Sequence, residues 1–148
     1  MRCGGRCVRS ILVDTGAIVA LIRERDPAHV RVVALFASLR GTDRLISTWP
    51  VITECTFALE RHRTAFFDWL FASRLEVVDF DVQAVRAMLE WMKRYRDRQI
   101  DFADATLVWL AGARNTDLIV TTDYRDFRTY RLPDGRSFRL LLPEASEA

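Results

Sequence analysis

Five carboxylates stand where a protein can do chemistry with them. Asp14 follows the apolar run Ile11-Leu12-Val13 and precedes Thr15-Gly16. Glu54 lies in VITECTFAL, Asp101 and Asp104 open DFADATLVWLA, and Asp123 follows LIVTT. Asp101 and Asp104 are three apart, which on a helix means one shared face. Taken singly, each has an ordinary use. The helix dipole favours acids in a first turn, and Asp14 fits a turn before Gly16. Taken together in one cleft, they would repel and desolvate one another unless something positive bound among them. Mg²⁺ or Mn²⁺ meets that need, since hard cations take oxygen ligands, keep waters and bridge to phosphate. Two such ions about 3.5–4 Å apart activate water and stabilise the leaving oxygen in phosphodiester cleavage. That chemistry requires neither cysteine nor histidine, and the chain has only three cysteines and two histidines, His29 and His62.

Whether the acids meet depends on the elements that carry them. Short β-type runs alternate with helical patterns along the chain. Strands are predicted at Ser10 to Val13, Arg44 to Thr48, Leu75 to Phe80 and Leu118 to Thr122, with an edge strand within Ser137 to Leu142. A first helix is predicted over Thr15 to Arg25, with Ile18, Leu21 and Ile22 at helical spacing. A second starts with Asp26 as N-cap and Pro27 at the first helical position, running to about Leu39. Pro50 opens a third, to about Arg61, and Phe66, Phe67, Leu70 and Phe71 form the apolar face of a fourth. Asp81 caps a helix whose Val82, Val85, Leu89 and Met92 line one side. The helix from Asp101 to about Arg114 is apolar nearly all round, as a buried helix would be.

Strands alternating with helices predict an α/β fold: three layers, α/β/α, around a central parallel sheet of four to five strands. In such sheets ligands bind beyond the carboxyl ends of the strands. Asp14 and Asp123 follow strands, while Glu54, Asp101 and Asp104 sit near helix starts, so all five are predicted to converge on that rim. The same pattern argues against an aspartic protease, whose folds are almost wholly β and need two Asp-Thr/Ser-Gly loops; here there is one. An aspartyl-phosphate phosphatase is also disfavoured, because it wants a second aspartate two residues after Asp14, where Gly16 stands.

At 148 residues the chain reads as one domain: residues 1–10 a flexible leader, 11–143 the folded domain and 144–148 a polar tail. No apolar run approaches the roughly 18–20 residues a membrane span needs. With no mark of export, a cytoplasmic location is the expectation. The odd cysteine count, Cys3, Cys7 and Cys55, argues against a disulfide framework. The net charge is only +2, but the basic residues are 21 arginines against the single Lys93. Arginine's planar fork suits phosphate, although a solvated, codon-biased surface accounts for the count equally well.

In order and spacing, VDTGAIVAL with Asp14, VITECTFAL with Glu54, DFADATLVWLA with Asp104, and IVTTDYRDF with Asp123 and Phe127 resemble the PIN-domain nucleases. They resemble in particular the VapC ribonuclease toxins of bacterial type II toxin–antitoxin systems. The resemblance runs from about Ile11 to Leu142 and implies an Mg²⁺-dependent endoribonuclease, with Mn²⁺ an alternative ion. It makes Asp14, Glu54, Asp104 and Asp123 the acidic pocket, Asp14 and Asp104 the principal metal ligands, and Asp101 an accessory. Thr121 matches a hydroxyl position that can hold a carboxylate or a water. Thr15 can do likewise at the strand end, and a plain turn or capping role stands open for both. Asp126 reads as a turn or cap residue. Arg94, Arg96 and Arg98 are candidates to grip the RNA backbone. The resemblance also implies an RNA substrate, a small cognate antitoxin and a homodimer. The apolar helix faces with Phe36 and Phe66 to Phe71 can serve such partners, or can simply be core. The competing reading is a non-catalytic PIN-like module that binds RNA or protein.

Overall fold

The computed structural model describes residues 8–146. Cys3, Cys7 and most of the expected leader lie outside the described residues, as do the last two residues of the expected tail. Five strands carry the fold: β1 (Ser10–Val13), β2 (Arg44–Thr48), β3 (Glu76–Val78), β4 (Leu118–Val120) and β5 (Arg139–Leu140). Every pairing is parallel, in the order β3-β2-β1-β4-β5. The apolar runs of β1 and β4 are buried along their length, as strands covered on both faces must be. Among the described residues, seven helices cover the sheet: α1 (Thr15–Ile22), α2 (His29–Ser38), α3 (Trp49–Ala58), α4 (Arg63–Ala72), α5 (Val82–Met92), α6 (Phe102–Ala113) and α7 (Tyr124–Thr129). The connections β1→β2→β3 run one way across the sheet, and the chain then returns to add β4 and β5 on the other side of β1. Because parallel crossovers are right-handed as a rule, running them in both directions puts helices on both faces, the three-layer α/β/α arrangement.

α6 passes through the middle of the core. Ala103, Ala105, Thr106, Leu107, Val108, Leu110 and Ala111 are all buried, which accounts for its apolar circumference. The buried Thr106 hydroxyl meets that of Thr48 at the end of β2, 2.7 Å away. This single polar bond ties the first turns of α6 to the carboxyl edge of the sheet.

The structure corrects several local expectations. α1 stops at Ile22, three residues early. Asp26 does not cap α2; its carboxylate accepts from the Ala28 N–H at 2.9 Å, closing a turn, and the helix starts at His29. α3 begins one residue before Pro50 and ends at Ala58, followed by a 3₁₀ turn over Glu60–His62. Asp81 does cap α5, through the Ala84 N–H at 3.0 Å. The buried stripe of α5, however, is Ala84, Met88 and Trp91, while Val82 and Leu89 are 69% and 52% exposed. Trp91 wins that face because its indole N–H also reaches the Arg131 carbonyl at 2.8 Å, a bond no aliphatic residue supplies. β3 and β5 are shorter than predicted, and α7 is a helix the sequence reading did not separate from the loop around it. Between α7 and β5, Arg131 and Ser137 form an antiparallel bridge, and Gly135 takes the left-handed φ of +92°.

Candidate active site

β1 and β4 are neighbours, and the strand order turns back between them; this is the crevice where open α/β sheets bind ligands. Asp14 closes β1 there. Its N–H donates to the Val120 carbonyl of β4 at 3.0 Å, and its side chain caps α1. Oδ1 accepts from the Thr15 N–H at 2.7 Å, and Oδ2 accepts from the Thr121 hydroxyl at 2.8 Å. Thr121 is fully buried, and its oxygen in turn accepts the Asp123 N–H at 2.9 Å. One hydroxyl therefore sets the spacing between the acids of β1 and β4. Both roles left open for Thr121 are filled, since its hydroxyl holds the Asp14 carboxylate and closes a local turn at Asp123. Thr15 does not bond locally through its hydroxyl, which donates to Glu54 Oε2 on α3 at 2.9 Å.

Asp101 is the N-cap of α6, accepting the Ala103 N–H at 3.2 Å, and Asp104 lies one turn further along. The Tyr130 hydroxyl donates to Asp104 Oδ2 at 3.0 Å. Tyr130 is itself buried among Trp91, Tyr95 and Phe127, so this donor has little freedom to leave. Asp123 caps α7 by accepting the Asp126 N–H at 3.2 Å. Asp126 points back into the same space, paired with Arg98 at 2.8 Å. The resulting cleft, about 310 Å³, is lined by all five predicted acids together with Thr15, Gly16 and Asp126. Asp126 therefore belongs to the site as well as to a turn. Its spacing from Asp123 repeats that of Asp101 and Asp104, a signal readable once α7 is recognised. Tyr130 left no comparable signal.

Crowding shows in the proton affinities. Burial, then the charge of Asp14, pushes the Asp104 carboxyl up to about 8, against the pull of the Tyr130 hydroxyl. Burial raises Glu54 to about 7, and the facing Asp101 carboxyl adds to the rise. Burial raises Asp14 to about 6, although the Thr121 and Thr15 bonds work against it. Asp123 is raised too, chiefly by burial. Cys55, next to Glu54, is buried and pushed up to about 12, so it stays a neutral thiol and no nucleophile.

These residues fit a hard divalent cation. Carboxylate oxygens of Asp104, Asp123 and Asp126 lie within 4.8 Å of one another, an all-oxygen donor set open to the cleft. The trio differs from the expected principal pair. Asp104 is common to both, and Asp14 lines the same cleft with each oxygen accepting one hydrogen bond and keeping a lone pair. Of the three predicted RNA-gripping arginines, Arg98 reaches the cleft edge. Arg94 and Arg96 are exposed and line neither the cleft nor the recesses beside it.

Gly16 matters for a reason other than turning. A Cβ there would lie 2.1 Å from Thr122 Oγ1, so its role is to let the two loops of the crevice approach each other.

The architecture has counterparts among solved structures. VapC20 of Mycobacterium tuberculosis, a Sarcin-Ricin loop cleaving toxin, superposes with a TM-score of 0.69 at 23% identity, covering 78% of this chain and 91% of that one. VapBC2 of Rickettsia felis, bound to a DNA fragment from its promoter, gives 0.61 at 18% identity, over 88% and 98% of the two chains. DNA-bound VapBC of Salmonella typhimurium gives 0.61 at 23% identity, over 90% and 98%. At these identities the likeness speaks for the fold alone. No curated protein matches the chain in sequence. The sequence pattern of the PIN domain matches residues 11–132, a span that holds β1 to β4 and every acid of the cleft. By fold and by sequence pattern, the chain belongs to the PIN domain family.

Proposed function

We propose that the protein is a metal-dependent endoribonuclease acting in the cytoplasm as the toxin of a type II toxin–antitoxin pair, with Mg²⁺ as its ion and Mn²⁺ as a substitute. The observation that carries this reading is the convergence of Asp104, Asp123 and Asp126 within 4.8 Å in a cleft also walled by Asp14 and Glu54. Carboxylates packed this closely are what a divalent cation, and no neutral ligand, makes stable. When bound, the ion supplies an activated water and a Lewis acid to hydrolysis of a phosphodiester.

The chain's own residues do the rest. Asp104 and Asp123, with Asp126, hold the ion. Asp14, oriented by Thr15 and Thr121, keeps a lone pair on each oxygen and joins them as a ligand. Glu54, beside Asp101 and raised to about 7, exchanges a proton near neutral pH and is suited to take one from the attacking water. Tyr130 keeps one oxygen of Asp104 directed and the other free. Arg98, at the edge of the cleft, meets the RNA backbone. The solved structures named VapBC are similar in fold, which supports an antitoxin partner for this chain. Exposed Phe57 and Phe71 on α3 and α4, with Val30 and Val33 on α2, offer apolar surface for an antitoxin or a second copy. Phe66, by contrast, is core.

The test is cleavage of end-labelled structured RNA by purified protein in Mg²⁺, Mn²⁺ or EDTA, beside Asp104→Asn. Cleavage that needs metal and is lost in the variant is the expected result. Folded wild type that binds RNA and cuts none of a broad set in either metal would leave a non-catalytic binding module as the better reading.

A further inference from the structure

Beside the acid cleft lies a second, shallower recess of about 760 Å³, which shares Thr122 and Asp123 with it and is otherwise lined by Arg31, Tyr124, Arg125 and Arg128 together with Glu144 and Ala145. Arg31 of α2 donates to the Tyr124 hydroxyl at 2.9 Å and also to the Pro143 carbonyl. The Arg128 guanidinium lies 5.6 Å from the centre of the Tyr124 ring. Arg125 is exposed on the same rim and, among the described residues, has no ion-pair partner. It also lines the recess holding Arg98, so basic groups flank Asp123 on both sides. One anion already sits here: the carboxylate of Glu144, carried in by the chain's last described residues, is paired with Arg128. Both members of that pair are about half exposed, 62% and 46%, so the contact is weakly held and exchangeable.

We propose that the Arg31, Tyr124, Arg125 and Arg128 recess is a subsite for single-stranded RNA, holding a phosphate neighbouring the one at the acid cleft, and that Glu144 occupies it until RNA displaces it. The inference rests on the reading of the cleft as an RNA-cleaving site and adds where the strand runs. Three features favour RNA over a free anion. The recess is continuous with the cleft through Thr122 and Asp123, as a strand lying across both requires. Its arginines present planar forks that match phosphate. The Tyr124 ring stands beside them, where a base can stack. Glu144 makes the tail a competitor: releasing it frees Arg128 for the substrate.

The experiment measures binding of a short fluorescein-labelled oligouridylate to the full chain in EDTA, by anisotropy across a salt series, for wild type, Glu144→Gln, Arg128→Ala and Asp134→Asn. Asp134 is the matched control. Its removal also frees one arginine, Arg136, but in the loop whose Pro133 packs on Gly112, at the other end of α6 from the acids. Glu144→Gln should tighten binding roughly fivefold, the size of one exposed charge contact. It should also steepen the logarithmic salt dependence by about 0.7, the value for one added phosphate contact on a single strand. Arg128→Ala should shift both in the opposite sense. In Mg²⁺ it should raise KM for RNA cleavage with kcat largely retained, as expected for a contact away from the reacting phosphate. Asp134→Asn should leave the salt slope unchanged.

If Glu144→Gln and Asp134→Asn behave alike, the effect is general charge and the subsite is refuted. The same follows if Arg128→Ala, in protein that still cuts RNA, alters neither affinity nor slope. A polyglutamate peptide that competes for the recess while RNA binding ignores Arg128 would assign it to an acidic protein segment instead. Wild type that neither binds nor cuts RNA would overturn the nuclease reading itself, an outcome separable from all of these.

Discussion

Replacing Asp104 with asparagine should abolish the proposed cleavage and, in metal-free buffer, make the protein more stable. The carboxyl of Asp104 holds its proton to about pH 8 in the fold, against 3.8 when unburied. A factor of ten in proton affinity is about 1.4 kcal/mol. The ionised form therefore costs the fold on the order of 5 kcal/mol, or about 3 kcal/mol once partial hydration of the open cleft is allowed for. Because the folded value lies above the unfolded one, this stability is fully present below about pH 4 and is lost as pH rises toward 8. Asparagine keeps the shape and can still accept the Tyr130 hydroxyl, but carries no charge. Thermal unfolding in EDTA should then show the variant equal to wild type near pH 4. Near pH 8 it should melt roughly 6–12 °C higher, taking ~2–4 °C per kcal/mol for a chain of this size. Mg²⁺ at pH 8 should raise the wild-type melting temperature and close the gap, leaving the variant nearly unmoved. A variant that melts below wild type at pH 8 in EDTA, or a gap that does not grow with pH, would show that the acids are not in mutual conflict. The argument for a cation would then lose its physical basis.

Other perturbations test the scaffold around the acids. Thr121→Val removes the hydroxyl joining Asp14 Oδ2 to the Asp123 N–H and leaves both without that partner. A loss of about 2 kcal/mol in urea unfolding is expected, with weakened Mn²⁺ binding by calorimetry; unchanged binding would mean that the bridge positions nothing. Gly16→Ala drives a methyl against Thr122 Oγ1 and should destabilise by about 1–3 kcal/mol, whereas Gly16→Ala with Thr122→Ala should recover most of it. Simple additivity of the two would refute the close-approach account. Tyr130→Phe keeps the buried ring and removes only the bond to Asp104. Mn²⁺ affinity should fall several-fold, with a stability change of about 1 kcal/mol or less, and an unaltered affinity would remove Tyr130 from the site.

What the sequence made legible has a physical pattern. β1 and β4 were readable because a strand buried on both faces reads as an apolar run, and the acids that follow them stand out by contrast. The all-round apolar α6 placed Asp101 and Asp104 at the mouth of the core for the same reason. Where burial depends on tertiary detail, the reading failed. In α5 the larger aliphatics Val82 and Leu89 looked like the core face, but Ala84 and Met88 pack inward with Trp91 because the indole also needs an acceptor. α7 is six residues long, too short for periodicity to show, so Asp126 was visible only as a turn residue. Tyr130 lies just beyond that helix and reaches Asp104 across 26 residues of sequence, a contact no local pattern encodes. Of the clustered arginines Arg94, Arg96 and Arg98, the last reaches the cleft edge through Asp126, whereas Arg31 joins Arg125 and Arg128 from a distant segment, a grouping that no local cluster encodes.

The two halves of the site obey one electrostatic logic. In the acid cleft, burial first and then the neighbouring carboxylates raise the proton affinities of Asp14, Glu54 and Asp104. Among the described residues, the guanidinium bonded to the group of Asp104, Asp123 and Asp126 is Arg98, held through Asp126 at the edge. The basic recess shows the converse, with arginines satisfied by a carbonyl, a phenol and one exposed carboxylate, each a weak substitute for phosphate. A cation relieves the first and a polyanion the second, and because Asp123 lines both, the binding of either should favour the other. Measured Mn²⁺ affinity should therefore rise in the presence of a non-cleavable oligonucleotide, and oligonucleotide affinity should rise by the same factor with Mn²⁺, as linkage demands. Independent binding of the two would mean that the cleft and the recess are neighbours without being one site.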